Sequence, residues 1–163
     1  MSKVSFYLLD DEVENPSQLP GDFPQHLTLA CDLAARCFRN KQRCLVFCEN
    51  KLVAEQFDEL LWQFPSNRFV PHNLFGEGPA GGAPVEINWQ TPKQFNRPVL
   101  VNLAQKMPDF HQRFGQVYDF VPAQEQLKQQ ARDRYKYYRA AGNQMDTMPA
   151  SSINEIANHG KNV

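Results

Sequence analysis

The sequence lacks three features that would place it in a broad class at once: a long apolar run, a surplus of charge of one sign, and a signal peptide. Its 163 residues contain 17 Lys and Arg against 18 Asp and Glu, a formal net charge of −1. A membrane-spanning helix needs about 20 apolar residues in succession, and general affinity for the DNA backbone needs a basic excess. Residues 1–3 lead directly into a strand-like run, without a leader pattern. We therefore expect a cytoplasmic protein with no membrane contact and little direct DNA binding.

Metal-binding and catalytic motifs are also missing. No Cys-x-x-Cys pair occurs and no histidine stands at ligand spacing from a cysteine, although zinc sites usually show such spacing. The histidines fall in separate segments, and no Gly-x-Ser-x-Gly elbow is present. The residues concerned are Cys31, Cys37, Cys44, Cys48, His26, His72, His111 and His159. The sequence thus predicts buried, reduced thiols and no catalytic residue, metal or cofactor.

A stretch rich in glycine and proline, residues 69–87, divides the chain in two. It holds four of the eight glycines, and because it cannot continue a helix or a central strand, it predicts a shaped loop or an edge feature. Gly76, Gly78 and Gly81 have the spacing of the dinucleotide fingerprint, but that motif needs a buried strand before it and a helix after it. A strand-like run follows instead, and Pro79 lacks an N–H that a phosphate would need. We interpret the stretch as structural.

Apolar runs alternate with helical patterns along the rest of the chain. Predicted strands cover residues 4–9, 43–48, 84–89, 98–103 and 116–121, and predicted helices cover residues 24–40, 51–64, 108–114 and 123–141. This alternation indicates an α/β, Rossmann-like sandwich, with a mainly parallel sheet flanked by helices and no nucleotide-binding glycine turn. Residues 1–142 are predicted to form a single domain, with a loop at 11–24. Residues 143–163 contain few apolar side chains and are predicted to be a disordered tail.

Two groups of side chains can each be interpreted in two ways from the sequence alone, as a binding surface or as an ordinary structural feature. On the last helix, Lys128, Arg132, Lys136 and Arg139 fall within an arc of about 80°, beside an arc that contains Tyr135. This pattern suits an acidic peptide with an apolar anchor, but it also describes an ordinary amphipathic helix with a solvated basic face. A second group, Trp62, Phe64 and Phe69 around Pro65, is either core or contact surface.

Several motifs in register carry a resemblance to a known family. They are Phe-Tyr-Leu-Leu-Asp at 6–10, Phe-Val-Pro-His-Asn-Leu at 69–74, Gly-Glu-Gly-Pro at 76–79, Gly-Gly-Ala-Pro-Val-Glu-Ile at 81–87, Asp-Phe-Val-Pro at 119–122 and the basic helix at 127–142. In this order, over residues 4–142, the chain resembles the chi subunit of bacterial DNA polymerase III. The resemblance does not extend to residues 11–24 or beyond residue 142.

The resemblance implies a non-catalytic accessory subunit in the clamp-loader complex of the replicative polymerase. Members of that family pair with the psi subunit, and a DNA-repair helicase is an alternative partner. The positions that match those used against psi are Trp62 and Phe69, with Phe64 and Pro65 shaping the same surface. The alternative that the residues alone leave open is a small Rossmann-like α/β enzyme or nucleotide-binding protein.

The family also binds the acidic C-terminal tail of single-stranded DNA-binding protein, which ends in a hydrophobic residue with a free carboxylate. The resemblance assigns this ligand to Arg132, Lys128, Tyr135, Lys136 and Val121. Arg132 is the expected partner of the carboxylate, because a guanidinium can donate two parallel hydrogen bonds. Tyr135 and Val121 would wall the apolar pocket, and the two lysines would attract the acidic residues upstream.

Overall fold

The computed structural model describes residues 1–9, 25–63 and 69–153. Its strands are β1 (Lys3–Leu8), β2 (Cys44–Phe47), β3 (His72–Leu74), β4 (Val85–Asn88), β5 (Val99–Asn102), β6 (Gln116–Val121) and β7 (Gln144–Pro149). Its helices are α1 (Gln25–Arg39), α2 (Lys51–Gln63) and α3 (Glu125–Ala140), with a 3-10 turn at His111–Arg113. The strands form one sheet in the order β3-β4-β2-β5-β6-β1-β7, and every pairing within it is parallel. This confirms the predicted α/β, Rossmann-like class.

Helices cover both faces of the sheet and create two apolar cores. On one face α1 and α2 pack against the strands, and Leu33, Phe57 and Ile87 belong to that core. On the other face lies α3, whose Ala131 and Tyr138 share a core with Phe6 of β1, Leu45 and Leu100. The interior strands form because short apolar runs suit positions covered on both sides, and all four residues of β5 are buried.

The cysteines contribute to these cores as free thiols. All four are buried and none forms a disulfide, as the sequence predicts. Burial raises the pKa of the Cys48 thiol to about 12, so this side chain stays protonated and behaves as a small apolar group.

Two further findings concern the parts of the chain that the structure describes. Within residues 1–9, 25–63 and 69–153, no three His, Cys, Asp or Glu side chains converge in a group that could hold a metal ion. None of the helices in these ranges has the length and apolar character needed to cross a membrane.

The predicted disorder of residues 143–163 is wrong for the segment that follows α3. Gln144–Pro149 is strand β7, which pairs with β1 from Lys3↔Gln144 to Leu8↔Pro149. Its two methionines lie on opposite faces of the sheet. Met145 packs against the core under α3, and Met148 packs against the core under α1 and α2. Few apolar residues are needed because the backbone ladder with β1 and these two contacts fix the strand. The tail prediction for residues 154–163 lies outside the described residues.

Smaller differences concern short elements and one loop. The helix predicted at 108–114 is only the 3-10 turn at His111–Arg113. The glycine-rich stretch begins with β3, which is an edge strand of the sheet, as the composition of the stretch predicts. Gly142 ends the basic helix with φ of +88°, the left-handed conformation that glycine adopts most easily. The loop predicted at 11–24 lies outside the described residues.

Candidate partner-binding surfaces

The glycine-rich loop between β3 and β4 is fastened to the sheet by side chains. Asn73 Oδ1 accepts a hydrogen bond from Ala83 N–H at 2.6 Å, and Asn73 Nδ2 donates to the Leu74 carbonyl at 2.8 Å. Gly78 passes so close to Asn73 that a Cβ at this position would overlap the carboxamide. The glycine is therefore required by the close approach of the loop to an anchoring side chain.

Two arginines bind carbonyl oxygens of the same loop. Arg97 is buried and donates to Pro84 at 2.8 Å and to Gly81 at 3.2 Å. Arg43 donates to the carbonyls of Gly81 and Gly82. A phosphate cradle has the opposite polarity, because its N–H groups face the ligand at the start of a helix. Here carbonyls face arginines and β4 follows, so the loop does not have the geometry of the dinucleotide fingerprint.

The inner face of α3 is anchored by a buried ion pair. Asp119 on β6 has no exposed surface, and Arg134 donates to its carboxylate from Nε and Nη2 at 3.0–3.2 Å. Tyr138 Oη and Asn102 Nδ2 donate to the same carboxylate at 3.0 and 3.1 Å. Burial, reinforced by Asp119, raises the pKa of Tyr138 well above its usual value, so the hydroxyl remains a donor. The network fixes the rotation of α3 on the sheet.

With Arg134 turned inward, this rotation places Lys128, Arg132 and Lys136 on the other side of α3. Arg132 and Lys136 are exposed, whereas Lys128 is half-buried. Tyr135 and Val121 are half-buried and pack against the core beneath α3, where the Tyr135 ring lies 5.3 Å from that of Phe6. Four of the five residues predicted for the acidic tail thus lie on α3, and the fifth, Val121, ends β6 and packs against the same core as Tyr135. We call the flank formed by Lys128, Arg132, Lys136, Tyr135 and Val121 the basic flank.

An apolar residue beside the basic flank was missed by the sequence analysis. Leu8, the last residue of β1, is 43% exposed and is the register partner of Val121 on one side and of Pro149 on the other. It stands in a continuous apolar run, so periodicity could not separate it from the buried residues before it. The pairing with Val121 makes Leu8 a further candidate wall for an apolar anchor.

Two exposed aromatic residues form a second surface, at the β3 edge of the sheet. Trp62, near the end of α2, is 59% exposed and Phe69 is 68% exposed, with their ring centroids 5.9 Å apart. Side chains with this exposure do not belong to the core, and the two together form an exposed apolar patch, the kind of feature that can mark an interaction site. We call Trp62 and Phe69 the aromatic surface. Phe64 and Pro65, predicted to shape it, lie outside the described residues.

A buried histidine lies directly beneath the aromatic surface. The His72 ring centroid is 4.6 Å from that of Trp62, and the His72 side chain is only 1% exposed. Its Nδ1 lies 2.7 Å from the Val70 carbonyl oxygen, and its Nε2 lies 3.2 Å from Asp58 Oδ1 on α2. The sequence analysis found no partner for His72, because Asp58 comes from another element and no periodicity connects the two.

The two surfaces are far apart. The aromatic surface adjoins β3 at one edge of the sheet, whereas the basic flank includes the end of β6 and packs beside β1. Neighbouring strands are about 4.8 Å apart, so the four intervals from β3 to β6 correspond to about 19 Å. The fold defines a class, an α/β domain with a parallel sheet, and its surface carries an exposed aromatic pair and, apart from it, a basic flank.

Comparison with known proteins identifies the family within this class. Residues 1–146 match the family described as DNA polymerase III chi subunit, HolC. The chain is 44% identical over 150 residues to DNA polymerase III subunit chi of Escherichia coli K12, covering 90% of this chain and 97% of that protein. It is 44% identical over 120 residues to the subunit of Haemophilus influenzae, covering 73% of this chain and 83% of that protein. It is 30% identical over 142 residues to the subunit of Pseudomonas aeruginosa, covering 87% of this chain and 92% of that protein. The chain therefore belongs to the DNA polymerase III chi subunit family and is an accessory subunit in DNA replication.

A more distant likeness concerns the fold alone. The crystal structure of T4 UvsW superposes with a TM-score of 0.56 and 14% identity, over 91% of this chain and 41% of UvsW. At this identity the likeness confirms the α/β architecture.

Proposed function

We propose that the protein is a non-catalytic connector in the DNA polymerase III complex, which pairs with the psi subunit through the aromatic surface and binds the acidic tail of single-stranded DNA-binding protein through the basic flank. The observation that carries the proposal is the pair of separate surfaces on one domain, an aromatic one at the β3 edge of the sheet and a basic one on α3 and the end of β6. An accessory subunit with two such surfaces can hold two partners at once and so connect the polymerase to coated template.

The basic flank has the chemistry that an acidic peptide with a free carboxyl end requires. Arg132 is exposed and stands one turn from Lys128 and from Lys136, so three cations line one side of α3. A guanidinium can donate two parallel hydrogen bonds to a terminal carboxylate, which an ammonium cannot do. Tyr135 and Val121, anchored in the core, supply a preformed apolar wall for the last side chain of the tail.

The aromatic surface has the chemistry of an interface anchor. Tryptophan and other large side chains often supply most of the binding energy when they enter a partner's pocket. Trp62 and Phe69 are adjacent and exposed, so a single apolar segment of psi can cover both. A DNA-repair helicase is a further candidate partner, which we propose on the family resemblance alone.

A titration with labelled peptide tests the tail assignment. A fluorescent peptide with an acidic run, an apolar last residue and a free carboxylate is titrated with the protein, and the same peptide with an amidated end is the control. We expect the amidated peptide to bind much more weakly, because Arg132 then faces a neutral group. Equal affinity for the two peptides would rule out a carboxylate site.

Co-purification tests both partners together. Tagged protein is mixed with psi and with single-stranded DNA-binding protein, and we expect both to be retained. A single-stranded DNA-binding protein that lacks its last residues should be lost while psi stays bound. Loss of psi in the same sample would show that the two surfaces are not separate.

A further inference from the structure

A cavity of about 330 Å³ lies over β2 and β4, between two loops. Leu45 of β2 belongs to the core under α3, and Glu86 of β4 is its register partner, so both side chains lie on the α3 face of the sheet. Because α3 packs mainly against β6 and β7, the glycine-rich loop and residues 92–97 take its place over β2 and β4. A cavity of this volume is at the lower end of the range of small-molecule sites, about 300–1,000 Å³.

Glu86 contributes a carboxylate oxygen to this cavity. Its side chain is 22% exposed, and Oε1 accepts a hydrogen bond from Asn73 Nδ2 at 3.3 Å and lies 4.0 Å from Arg97 Nη2. Gly82 passes so close that a Cβ at this position would overlap the same Arg97 and Glu86 atoms. Among the described residues Oε2 has no hydrogen-bond partner, and it is not shut off from solvent. The carboxylate is therefore held in place through Oε1 and free to accept through Oε2.

Asn88 lines the same cavity and contributes a donor. The residue is 1% exposed, and its Oδ1 accepts hydrogen bonds from the N–H groups of Trp89 and Gln90 at 2.7 and 3.0 Å. These two bonds identify the oxygen, so Nδ2 is the other end of the carboxamide. Within the part of the chain that the structure describes, Nδ2 donates to no acceptor, and it also is not enclosed. Since a nearly buried amide normally has a hydrogen-bond partner, its acceptor is expected in the cavity.

The two free groups select the chemistry of a ligand. Glu86 and Asn88 lie on one face of β4, about 6.6 Å apart along the strand, and they offer a carboxylate acceptor beside an amide donor. Guanine has the complementary edge, because N1–H and the N2 amino group stand next to the O6 carbonyl. Adenine has an acceptor at N1 and would place it against the carboxylate. The faces of a base would meet the apolar part of the lining: Leu45, Phe75, Pro79, Pro92 and Phe114.

We propose that this cavity binds a guanine base, with Glu86 accepting from N1–H and the N2 amino group and Asn88 Nδ2 donating to O6. The base belongs to a free guanine nucleotide or to a single strand, whose bases are open to protein contacts. The site needs no phosphate cradle, because the base is the group that is recognised. It shares no residue with the aromatic surface or the basic flank, so it does not depend on the proposed pairing with psi or with the acidic tail.

The first experiment compares ligands on the unsubstituted chain. Backbone and side-chain amide signals of the nitrogen-labelled protein are followed while GMP, IMP, AMP or 7-deaza-GMP is added. We expect GMP to give saturable shifts in residues 86–97, including the Asn88 side-chain amide, and 7-deaza-GMP to bind equally because its change is away from the recognised edge. IMP lacks the N2 amino group and should bind about tenfold more weakly, since one hydrogen bond to a carboxylate is lost. Absence of saturable shifts with GMP, or equal affinity for GMP and AMP, would overturn the proposal.

Asn88→Asp and Glu86→Gln test the two groups directly. Asn88→Asp keeps an oxygen for the N–H groups of Trp89 and Gln90 but replaces the donor by an acceptor that faces O6. Each variant should weaken GMP binding by about tenfold or more, as expected when a paired contact to a base edge is lost. Glu77→Gln, an exposed carboxylate of the same loop, is the matched control and should bind GMP normally. Unchanged GMP affinity in both cavity variants would refute the site, and if either variant fails to fold, the comparison of GMP, IMP and AMP on the unsubstituted chain decides.

A third experiment identifies the source of the base. Fluorescent oligothymidine with one central guanine is titrated beside oligothymidine alone, and GMP is added as a competitor. Tighter binding of the strand that contains guanine, reversed by GMP, would support a site for single-stranded nucleic acid. Binding of GMP without a preference between the two strands would support a site for the free nucleotide. Equal binding of both strands that GMP does not reverse, together with no shifts from GMP, would contradict a guanine site altogether.

Discussion

Within each of the two proposed partner surfaces, single residues differ in exposure and chemistry. On the basic flank the exposed Arg132 and the half-buried Lys128 have the same sign of charge but different chemistry, since only the guanidinium forms a planar fork. At the aromatic surface, Trp62 and Phe69 are exposed while His72 beneath them is buried. Predictions at this scale therefore concern which side chain touches a partner and which one supports it.

Arg132→Ala is expected to weaken tail binding most. The loss should be about 2 kcal/mol or more, since a charge pair that is shielded from water in the complex is removed. Lys128→Ala and Lys136→Ala should each cost about 1 kcal/mol and less at high salt, because exposed charges act mainly through a screened field. Titrations at two salt concentrations measure this ranking, with Arg132→Lys as the matched variant that keeps the charge. Equal losses that vanish together in salt would indicate a diffuse basic face.

Phe69→Ala is expected to abolish pairing with psi and leave the fold intact. The side chain is 68% exposed, so its removal should change the free energy of unfolding by no more than about 0.5 kcal/mol, whereas loss of an interface anchor costs about 2 kcal/mol or more. Size-exclusion chromatography with psi and thermal melting of the isolated chain measure the two effects. Unfolding of the variant would place Phe69 in the core and contradict the assignment.

At the scale of elements, the sequence predicts those that local patterns define. The strands β2, β5 and β6 are short apolar runs, and α3 combines a helical period with Gly142 at its end, so each was found within two residues of its observed bounds. Strand β7 was missed because its pairing partner, β1, is more than 130 residues away in the chain, and its own residues alternate weakly. No local pattern could reveal such a partner.

The residues of the candidate surfaces also fall into those that a local pattern can predict and those that depend on contacts between elements. The basic flank follows from helical spacing, so Lys128, Arg132 and Lys136 could be grouped from the sequence, and the choice of these residues for a tail rests on the family resemblance. The sequence could not show that Arg134, two residues from Arg132, is buried against Asp119, since that contact joins two elements. The proximity of His72 to Asp58 is hidden for the same reason.

The buried ion pair is expected to decide the stability of α3. Asp119→Ala leaves the Arg134 guanidinium buried without its carboxylate, which should cost about 3–5 kcal/mol of the free energy of unfolding. Asp133→Ala, on the exposed side of the same helix, is the matched control and should change it by about 0.5 kcal/mol at most. Urea denaturation measures both. Similar losses in the two variants would mean that α3 is held by its apolar contacts alone.

Removal of β7 tests the correction to the tail prediction. A chain that ends at Gly142 loses the edge strand and the contacts of Met145 and Met148 with the two cores, and it leaves β1 as an unpaired edge, which favours aggregation. We expect a lower melting temperature and self-association in light scattering. A chain that ends at Ile153 keeps β7 and is the matched control. Identical behaviour of the two truncated chains would show that β7 contributes nothing to stability.

At the scale of the whole molecule, the separation of the surfaces predicts that psi and the acidic tail bind independently. The aromatic surface adjoins β3 and the basic flank begins at β6, about 19 Å away across the seven-stranded sheet, and they share no residue. Sites at this distance without a common network usually behave additively, within about 0.5 kcal/mol. The affinity for labelled tail peptide, measured with and without saturating psi, should therefore differ by no more than about twofold.

Two variants provide a reciprocal control, because coupling between sites acts equally in both directions. Phe69→Ala should leave peptide binding unchanged, and Arg132→Ala should leave psi binding unchanged. Displacement of the peptide by psi, or a loss of both partners in either variant, would show that one partner reaches across the sheet or changes its packing, and would contradict the model of a connector with two independent surfaces.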